Sequence, residues 1–302
     1  MGRDDRGLRL RRAADVDEFD RLAGEFLRAR EAEHNLILGI CSNLRAMRTA
    51  APLTRSVDPT GSSTVQPYFA VVASGDLVVG AAMRTPPYNA LLSEMRDDRA
   101  VDLVVDDLHR DAPDLAGVLG EKHLARRFAE RWTKYTGRPH KVKTAERIFR
   151  LTTVIPPRSV AGRLRTASAN DKALLARWFA AFIREALHED DSAAAATVEI
   201  WLTAPGRTLY LWEDREVVSM CGASGRTPSG IRIGAVYTPS EFRGRGYASN
   251  CVAGASQAQL DTGLRYCFLY TDLANPTSNH IYELIGYEPV CDVDEYGFAG
   301  PA

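Results

Sequence analysis

The sequence lacks a long apolar run and lacks an excess of charge of either sign. No stretch approaches the about 18 consecutive apolar residues that a membrane-spanning helix needs, and no apolar core follows the charged N-terminus. We therefore expect a cytoplasmic protein without a membrane partner. The 38 basic and 39 acidic residues leave a net charge of −1, which gives no electrostatic reason to expect a nucleic acid as a partner.

The sequence is also poor in cysteine, with five in 302 residues. They are Cys41, Cys221, Cys251, Cys267 and Cys291. Their number is odd, and their scattered positions show none of the paired spacings of a metal site, so we expect reduced thiols and no bound metal. The 45% of hydrophobic residues is enough for two ordinary hydrophobic cores in a chain of this length.

The most informative segment joins a predicted strand to a predicted helix. Apolar residues at 231–237 predict a buried strand, which Pro239 ends because proline has no backbone N–H to donate. Gly244 and Gly246 then allow a tight turn, and the N–H groups that open the helix at Tyr247 have no partner within the helix. Such a turn is suited to an anion, above all a pyrophosphate.

A second segment with matching features follows about 30 residues later. Aromatic and apolar residues at 265–271 predict another buried strand. Asn275 suits the N-cap of a short helix, Pro276 suits its first turn, and Gly286 suits the left-handed residue just beyond its end.

These two segments resemble the GNAT superfamily of acyl-CoA-dependent N-acyltransferases. Residues 243–248 fit the Arg/Gln-x-x-Gly-x-Gly/Ala turn of that family, and 282–287 are similar to its Tyr-x-x-x-Gly-Phe/Tyr segment. The resemblance covers roughly residues 160–297. It implies a mixed α/β fold, in which a mainly antiparallel sheet is flanked by helices and its fourth and fifth strands splay apart.

The resemblance also implies the chemistry. Acetyl-CoA would be the acyl donor, an amine would attack it directly without an acyl-enzyme, and Tyr282 would be the general acid that protonates the departing thiolate. The acceptor would be a small molecule, an amino acid or a lysine of a peptide or protein. The implied cofactor-binding residues are Val236, Tyr237, Thr238, Arg243, Gly244, Arg245, Gly246, Tyr247, Ala248, Ser249, Asn275 and Ser278.

The general base is left open by the sequence. Many members of the family place a glutamate on the fourth strand, but 231–238 contains no acidic residue. An ordered water could take the proton, or an acid elsewhere, such as Asp272, Glu199 or Glu216.

The segment 178–201 has two interpretations. It could form an aromatic wall with carboxylates for a cationic acceptor, or an amphipathic helix with a polar loop, and we favour the helix. The residues concerned are Phe179, Phe182, His188, Glu189, Asp190 and Asp191.

The first half of the chain predicts a related domain. A fixed shift of 142 positions superposes Tyr68 on Tyr210, Gly80-Ala81 on Gly222-Ala223, and 84–86 on 226–228, which indicates a duplication. We therefore expect two GNAT-like domains at 1–154 and 160–302, in a chain that is a monomer.

We place the counterpart of the glycine turn at 114–123. There Asp114 and Glu121 would repel a pyrophosphate, so the first domain is interpreted as a degenerate copy that does not bind CoA. Its role would be packing, shaping the acceptor cleft or holding a regulator.

Two alternatives to a general amine acetyltransferase stay open. One is a non-catalytic sensor or scaffold that binds acetyl-CoA, which the missing strand carboxylate favours. The other is a tandem thiol-metabolite synthase, which the sequence does not separate from other transferases. The phenol of Tyr282 favours an enzyme, because a protein that only binds CoA needs no acid near the sulfur.

Overall fold

The computed structural model describes residues 7–50, 66–187 and 190–300. These residues form two compact units. The first unit contains the chain up to Ile148, with 272–274 and 290 onwards, and the second contains 149–271 and 275–289. The sequence-based boundary between the domains lies at 154–160, and the division of the structure differs from it chiefly in the last strand. That strand belongs to the first unit, because Tyr296 and Phe298 pack into its core.

The first unit is a mixed sheet between two pairs of helices. Its elements are β1 (Leu8–Arg12), α1 (Val16–Ala29), α2 (Asn35–Ala50), β2 (Tyr68–Ser74), β3 (Leu77–Arg84), β4 (Ala90–Met95), α3 (Arg99–Asp111), β5 (Gly117–Glu121), α4 (Lys122–Thr136), most of β6 (His140–Leu151) and most of β12 (Glu288–Phe298). The strand order is β1-β2-β3-β4-β5-β12-β6. Strands β4 and β5 are parallel, whereas the neighbours from β1 to β4 are antiparallel.

Alternating side chains of β2 build the core of this unit on both faces of its sheet. Tyr68, Ala70 and Val72 pack with residues of α3 and α4. Phe69 and Val71 pack with residues of α1 and α2. This alternation is the two-residue period of a strand that is buried on both faces.

The second unit repeats this order of elements. They are β7 (Arg163–Thr166), α5 (Lys172–Phe182), a π-helical turn (Ile183–Leu187), α6 (Ala194–Thr203), β8 (Thr208–Asp214), β9 (Glu216–Ser224), β10 (Gly230–Tyr237), α7 (Tyr247–Leu260), β11 (Tyr266–Asp272) and α8 (Pro276–Ile285). The strand order is β7-β8-β9-β10-β11, and all neighbours are antiparallel except β10 and β11.

Strand β10 leaves β11 after a short parallel ladder, which extends from Gly230 to Arg232. A bulge follows on the β9 side, between the pairs Gly234↔Gly222 and Tyr237↔Met220. Such a bulge bends the strand and redirects its backbone groups. The predicted mixed α/β class with a splayed fourth and fifth strand is therefore confirmed.

The first unit carries the same bulge, but the fixed shift of 142 residues is wrong. The shift superposes Gly80 on Gly222, but the two glycines lie on opposite sides of the bulge. Gly80 pairs with Met95, which follows the bulge of β4, whereas Gly222 pairs with Gly234, which precedes the bulge of β10. The halves therefore share an order of elements, while their strands and turns differ in length and shift the register.

The predicted counterpart of the glycine turn at 114–123 is also wrong. Those residues hold β5 and the start of α4, which correspond to β11 and its successor. The segment between β4 and α3 is 96–98. There Asp97 Oδ1 accepts a hydrogen bond from the Arg99 backbone N–H at 2.9 Å, and Asp97 Oδ2 accepts one from Arg99 Nη2 at 2.7 Å. An acidic side chain thus already binds the backbone at the start of α3.

Among the residues that the structure describes, no helix combines the length and the apolar character needed to cross a membrane.

Candidate active site

A cavity of ≈ 630 Å³ opens in the second unit where the end of β10, the start of α7, the start of α8 and the π-helical turn meet. Its lining residues are Phe182, Glu185, Ala186, Val236, Tyr237, Thr238, Phe242, Arg243, Gly244, Gly246, Tyr247, Ala248, Ser249, Asn275, Thr277, Ser278 and Ile281. All of the predicted cofactor-binding residues except Arg245 lie on this wall. The Arg245 guanidinium lies 5.9 Å from the ring centre of Phe242.

The glycine turn opens α7 without a side-chain cap. Gly244 and Gly246 have φ angles of 73° and 83°, a left-handed conformation that costs other residues energy. Gly246 is the N-cap residue, and no side chain accepts a hydrogen bond there. The first N–H groups of α7 are therefore donors without a side-chain partner at the cavity, and they can bind an anion.

The splayed strand supplies the second wall. Val236, Tyr237 and Thr238 line the cavity beyond the point where β10 leaves β11. Ala235, within the bulge, has a φ of 48°, which is rare for a residue with a side chain. The backbone of this segment can therefore pair with an extended ligand instead of a strand.

The third wall is the start of α8, and its predicted caps are confirmed. Asn275 accepts a hydrogen bond from the Ser278 backbone N–H at 3.1 Å, Pro276 lies in the first turn, and Gly286 follows the helix with a φ of 103°. Asn275 and Ser278 both reach the cavity.

Tyr282 lies outside the cavity wall. Its side chain is 8% exposed and belongs to the core between the sheet and α7. Its ring packs edge-on against Tyr287, with 6.0 Å between the ring centres. Burial raises the pKa of the Tyr282 hydroxyl well above its usual value, so it is protonated at neutral pH. Ser278 and Ile281 of the same helix line the cavity instead.

Glu185 is a cavity residue that the sequence reasoning missed. It belongs to the π-helical turn, a distortion that is frequent at functional sites. Its carboxylate accepts hydrogen bonds from Arg243 Nη2 at 2.6 Å and from the Tyr237 hydroxyl at 3.1 Å. The bond from Arg243 is the main reason why the pKa of Glu185 is lowered. In the sequence, the feature that could have indicated this role is the position of Glu185 three residues after Phe182, between the apolar helix and the polar loop.

The acids proposed from sequence as bases do not line the cavity. Glu199 pairs with Lys172 at 2.5 Å. Glu216 is an exposed residue at the start of β9. Asp272 accepts a hydrogen bond from the Ala274 backbone N–H at 2.8 Å. His188 and Glu189 lie outside the described residues.

The aromatic residues of 178–201 mainly form core. Phe179 packs against Trp201 at 6.2 Å and Trp178 against Tyr237 at 6.1 Å, measured between ring centres. Phe182 alone of these aromatic residues in α5 and α6 reaches the cavity. The amphipathic-helix interpretation therefore describes this segment better than an aromatic wall does.

The described cysteines are unpaired, and four of the five are buried. Cys221 Sγ lies 3.6 Å from Cys251 Sγ in the core behind α7. No group of three or more potential metal ligands was found within 7–50, 66–187 and 190–300.

Comparison with known proteins agrees with this geometry. Residues 173–287 match the family model described as the acetyltransferase (GNAT) family. No curated protein matches the chain.

Solved structures resemble the chain over nearly its whole length. A Drosophila protein has a TM-score of 0.70 at 12% identity, with 98% of this chain and 100% of that chain covered. A tandem GNAT protein from the clavulanic acid biosynthesis pathway, solved without acetyl-CoA, has a TM-score of 0.53 at 15% identity, with 98% and 99% covered. A GCN5-related N-acetyltransferase from Sphaerobacter thermophilus has a TM-score of 0.56 at 15% identity, with 99% and 97% covered. At these identities the likeness shows the fold.

The sheet, its splayed strands and the glycine turn define an acyltransferase fold. The match over 173–287 identifies an acetyltransferase domain of the GNAT family in the second half of the chain, and the solved structures share the fold of nearly the whole chain.

Proposed function

We propose that the protein transfers an acetyl group from acetyl-CoA directly to an amine, with the cavity of the second unit as the donor site. The observation that carries this proposal is that the uncapped start of α7 and the end of β10, beyond the point where it leaves β11, open on one cavity. The start of α7 suits a pyrophosphate, and the end of β10 suits the extended pantetheine arm of CoA. Acetyl-CoA would supply an activated thioester.

The residues present fit this donor. The amides of 243–249 and the guanidinium of Arg243 offer donors to phosphate oxygens. The backbone of 236–238 would pair with the pantetheine arm, and a backbone N–H near Val236 would polarise the thioester carbonyl. Asn275 and Ser278 would contact the donor from the side of α8.

Tyr282 is proposed as the general acid. A tyrosine hydroxyl carries its proton at neutral pH and can give it to the departing thiolate. Tyr282 lies behind Ser278 and Ile281, which line the cavity. These two side chains would therefore have to make room for the CoA sulfur, or for a water that bridges the sulfur to the Tyr282 hydroxyl. The acceptor would be a small amine, an amino acid or a lysine, and we propose that the chain acts as a monomer with domains at 1–154 and 160–302.

The non-catalytic acetyl-CoA sensor is the second candidate. It is favoured by one observation, that Tyr282 is buried outside the wall of the cavity.

One experiment separates the two candidates. Acetyl-CoA binding would be titrated by calorimetry, and thiol release would be followed over a panel of amines, amino acids and lysine peptides, for the wild type and Tyr282→Phe. We expect acceptor-dependent release that falls about 100-fold or more in Tyr282→Phe while acetyl-CoA affinity is kept. Binding without release on any acceptor would favour the sensor, and no binding would refute the donor site.

A further inference from the structure

Glu185 and Arg243 are the two charged side chains among the described residues of the cavity wall, and they form an ion pair. Arg243 Nη2 donates to one carboxylate oxygen of Glu185 at 2.6 Å, and the Tyr237 hydroxyl donates to the other at 3.1 Å. Tyr237 is held in turn by packing on Trp178. Glu185 thus enters the cavity from the π-helical turn with a defined position.

Arg243 is placed where a phosphate would compete for it. Its Nε donates to the Thr238 carbonyl at 2.9 Å, which fixes the guanidinium at the start of the glycine turn. Phosphate oxygens match a guanidinium at least as well as a carboxylate does. The side chains of Arg243 and Glu185 are 52% and 47% exposed, so their ion pair is weak and can be exchanged at little cost.

We propose that Glu185 selects a positively charged acceptor, and that its ion pair with Arg243 makes acceptor binding depend on donor binding. This inference rests on the proposed function. A donor phosphate that binds Arg243 removes the ion pair of Glu185 and leaves its hydrogen bond from the neutral Tyr237 hydroxyl. A carboxylate in that position favours a new cation.

The wall near Glu185 defines the class of acceptor. Phe182 and Ala186 of the same segment offer apolar surface beside the carboxylate. A primary ammonium group on an apolar body fits this arrangement, whereas an anionic acceptor would be repelled. A glutamate side chain is ionised at neutral pH without Arg243 as well, so Glu185 binds the ammonium as a specificity residue and the base remains separate.

The first test measures the coupling with CoA alone. CoA would be titrated by calorimetry into the wild type, Glu185→Gln and Glu199→Gln. Glu199 is the matched control, because it is a glutamate of the same unit, half exposed and paired with Lys172, but away from the cavity.

We expect CoA to bind Glu185→Gln about two- to fivefold more tightly than the wild type, since no carboxylate then competes for Arg243. Glu199→Gln should match the wild type. Equal or weaker CoA binding by Glu185→Gln would overturn the proposed competition. A wild type that does not bind CoA would instead refute the donor site itself, so the two failures are distinguishable.

The second test measures acceptor selection at saturating acetyl-CoA. The best aliphatic primary amine of the panel, charged at pH 7, would be compared with an aromatic amine that is neutral at that pH. We expect Glu185→Gln to raise KM for the charged amine about tenfold or more, with kcat and the rate on the neutral amine little changed. An equal loss of activity on both amines would show that Glu185 supports the fold of the cavity and does not recognise the charge of the acceptor.

Discussion

Asn275 accepts a hydrogen bond from the backbone N–H of Ser278 at 3.1 Å, and both residues line the cavity. One side chain thus caps α8 and faces the proposed donor. Asn275→Ala should lower the free energy of unfolding of the second unit by about 1 kcal/mol, because the cap is lost. Urea denaturation would measure this change.

Asn275→Asp separates the cap from the contact with the donor. An aspartate caps as well as an asparagine, so stability should be kept, while its negative charge at the cavity should weaken CoA binding. A loss of stability in Asn275→Asp equal to that of Asn275→Ala would contradict the capping role.

The glycines of the turn can be tested against a matched glycine elsewhere. Gly244, Gly246 and Gly263 all have left-handed φ angles, of 73°, 83° and 92°. Replacing any of them by alanine should cost about 1–2 kcal/mol of stability. Only Gly244→Ala and Gly246→Ala should also weaken CoA binding, because Gly263 follows α7 and lies outside the cavity wall.

Gly246→Ala should be the more damaging of the two cavity variants. A Cβ atom there would lie 3.1 Å from Val160 Cγ1, whereas a Cβ at Gly244 meets nothing within 4 Å. Calorimetric titration of CoA into the three variants gives the comparison. If Gly263→Ala weakens CoA binding as much as the others, the effect is general strain and not loss of the anion site.

The second half of the fold was predictable because its chemistry is local. Pro239, the glycines of the turn, and the caps at Asn275 and Gly286 each require a particular backbone conformation, and the structure confirms those positions for the turn and for α8. Hydrophobic alternation at 231–237 likewise marked the strand that carries the cavity.

Features that depend on pairing between distant segments were not predictable. The bulge shifts the ladder between β9 and β10, and a residue count along the chain does not reveal it, so the fixed shift of 142 failed at Gly80 and Gly222. Glu185 escaped notice for a similar reason. Its role depends on contacts with Tyr237 and Arg243, which lie 52 and 58 residues away in the sequence.

His34 should make the stability of the first unit depend on pH. It is 1% exposed, its Nδ1 lies 3.0 Å from the Leu27 carbonyl oxygen, and its Nε2 accepts from the Glu94 backbone N–H at 3.0 Å. This arrangement requires a neutral ring with the proton on Nδ1. Burial lowers the pKa of His34 below its ordinary value of 6.5.

The sign of the effect follows from that direction. As the pH falls below 6.5, the unfolded chain takes up a proton that the folded His34 does not, so stability falls until the folded pKa is reached. The slope for this one group should not exceed about 1.4 kcal/mol per pH unit. Urea denaturation at a series of pH values between 7.5 and 5 would measure it, and His34→Gln should remove this part of the slope. A slope that persists unchanged in His34→Gln would assign the effect to other groups.

Asp171 should contribute to the stability of the second unit through a shared network with Arg165. Its carboxylate oxygens accept from Arg165 Nη1 and Nη2 at 2.9 and 2.8 Å, and one of them also accepts from the Ser168 backbone N–H at 2.8 Å. The hydrogen bonds from Arg165 are the main reason why the pKa of Asp171 is lowered to about 2. A carboxylate whose folded pKa is lowered stabilises the protein above its unfolded pKa of 3.8, and this contribution is lost as the pH falls through about 2.

Asp171→Asn should therefore lower the free energy of unfolding at pH 7 by about 1.5–3 kcal/mol, since it removes charge-assisted bonds from a buried group. Asp190→Asn is the matched control, because Asp190 is exposed and accepts from Ser192, through the backbone N–H at 2.7 Å and the hydroxyl, and not from an arginine. Urea denaturation at pH 7 would compare the two variants, and equal losses would show that the bidentate pair with Arg165 adds nothing to an ordinary backbone cap.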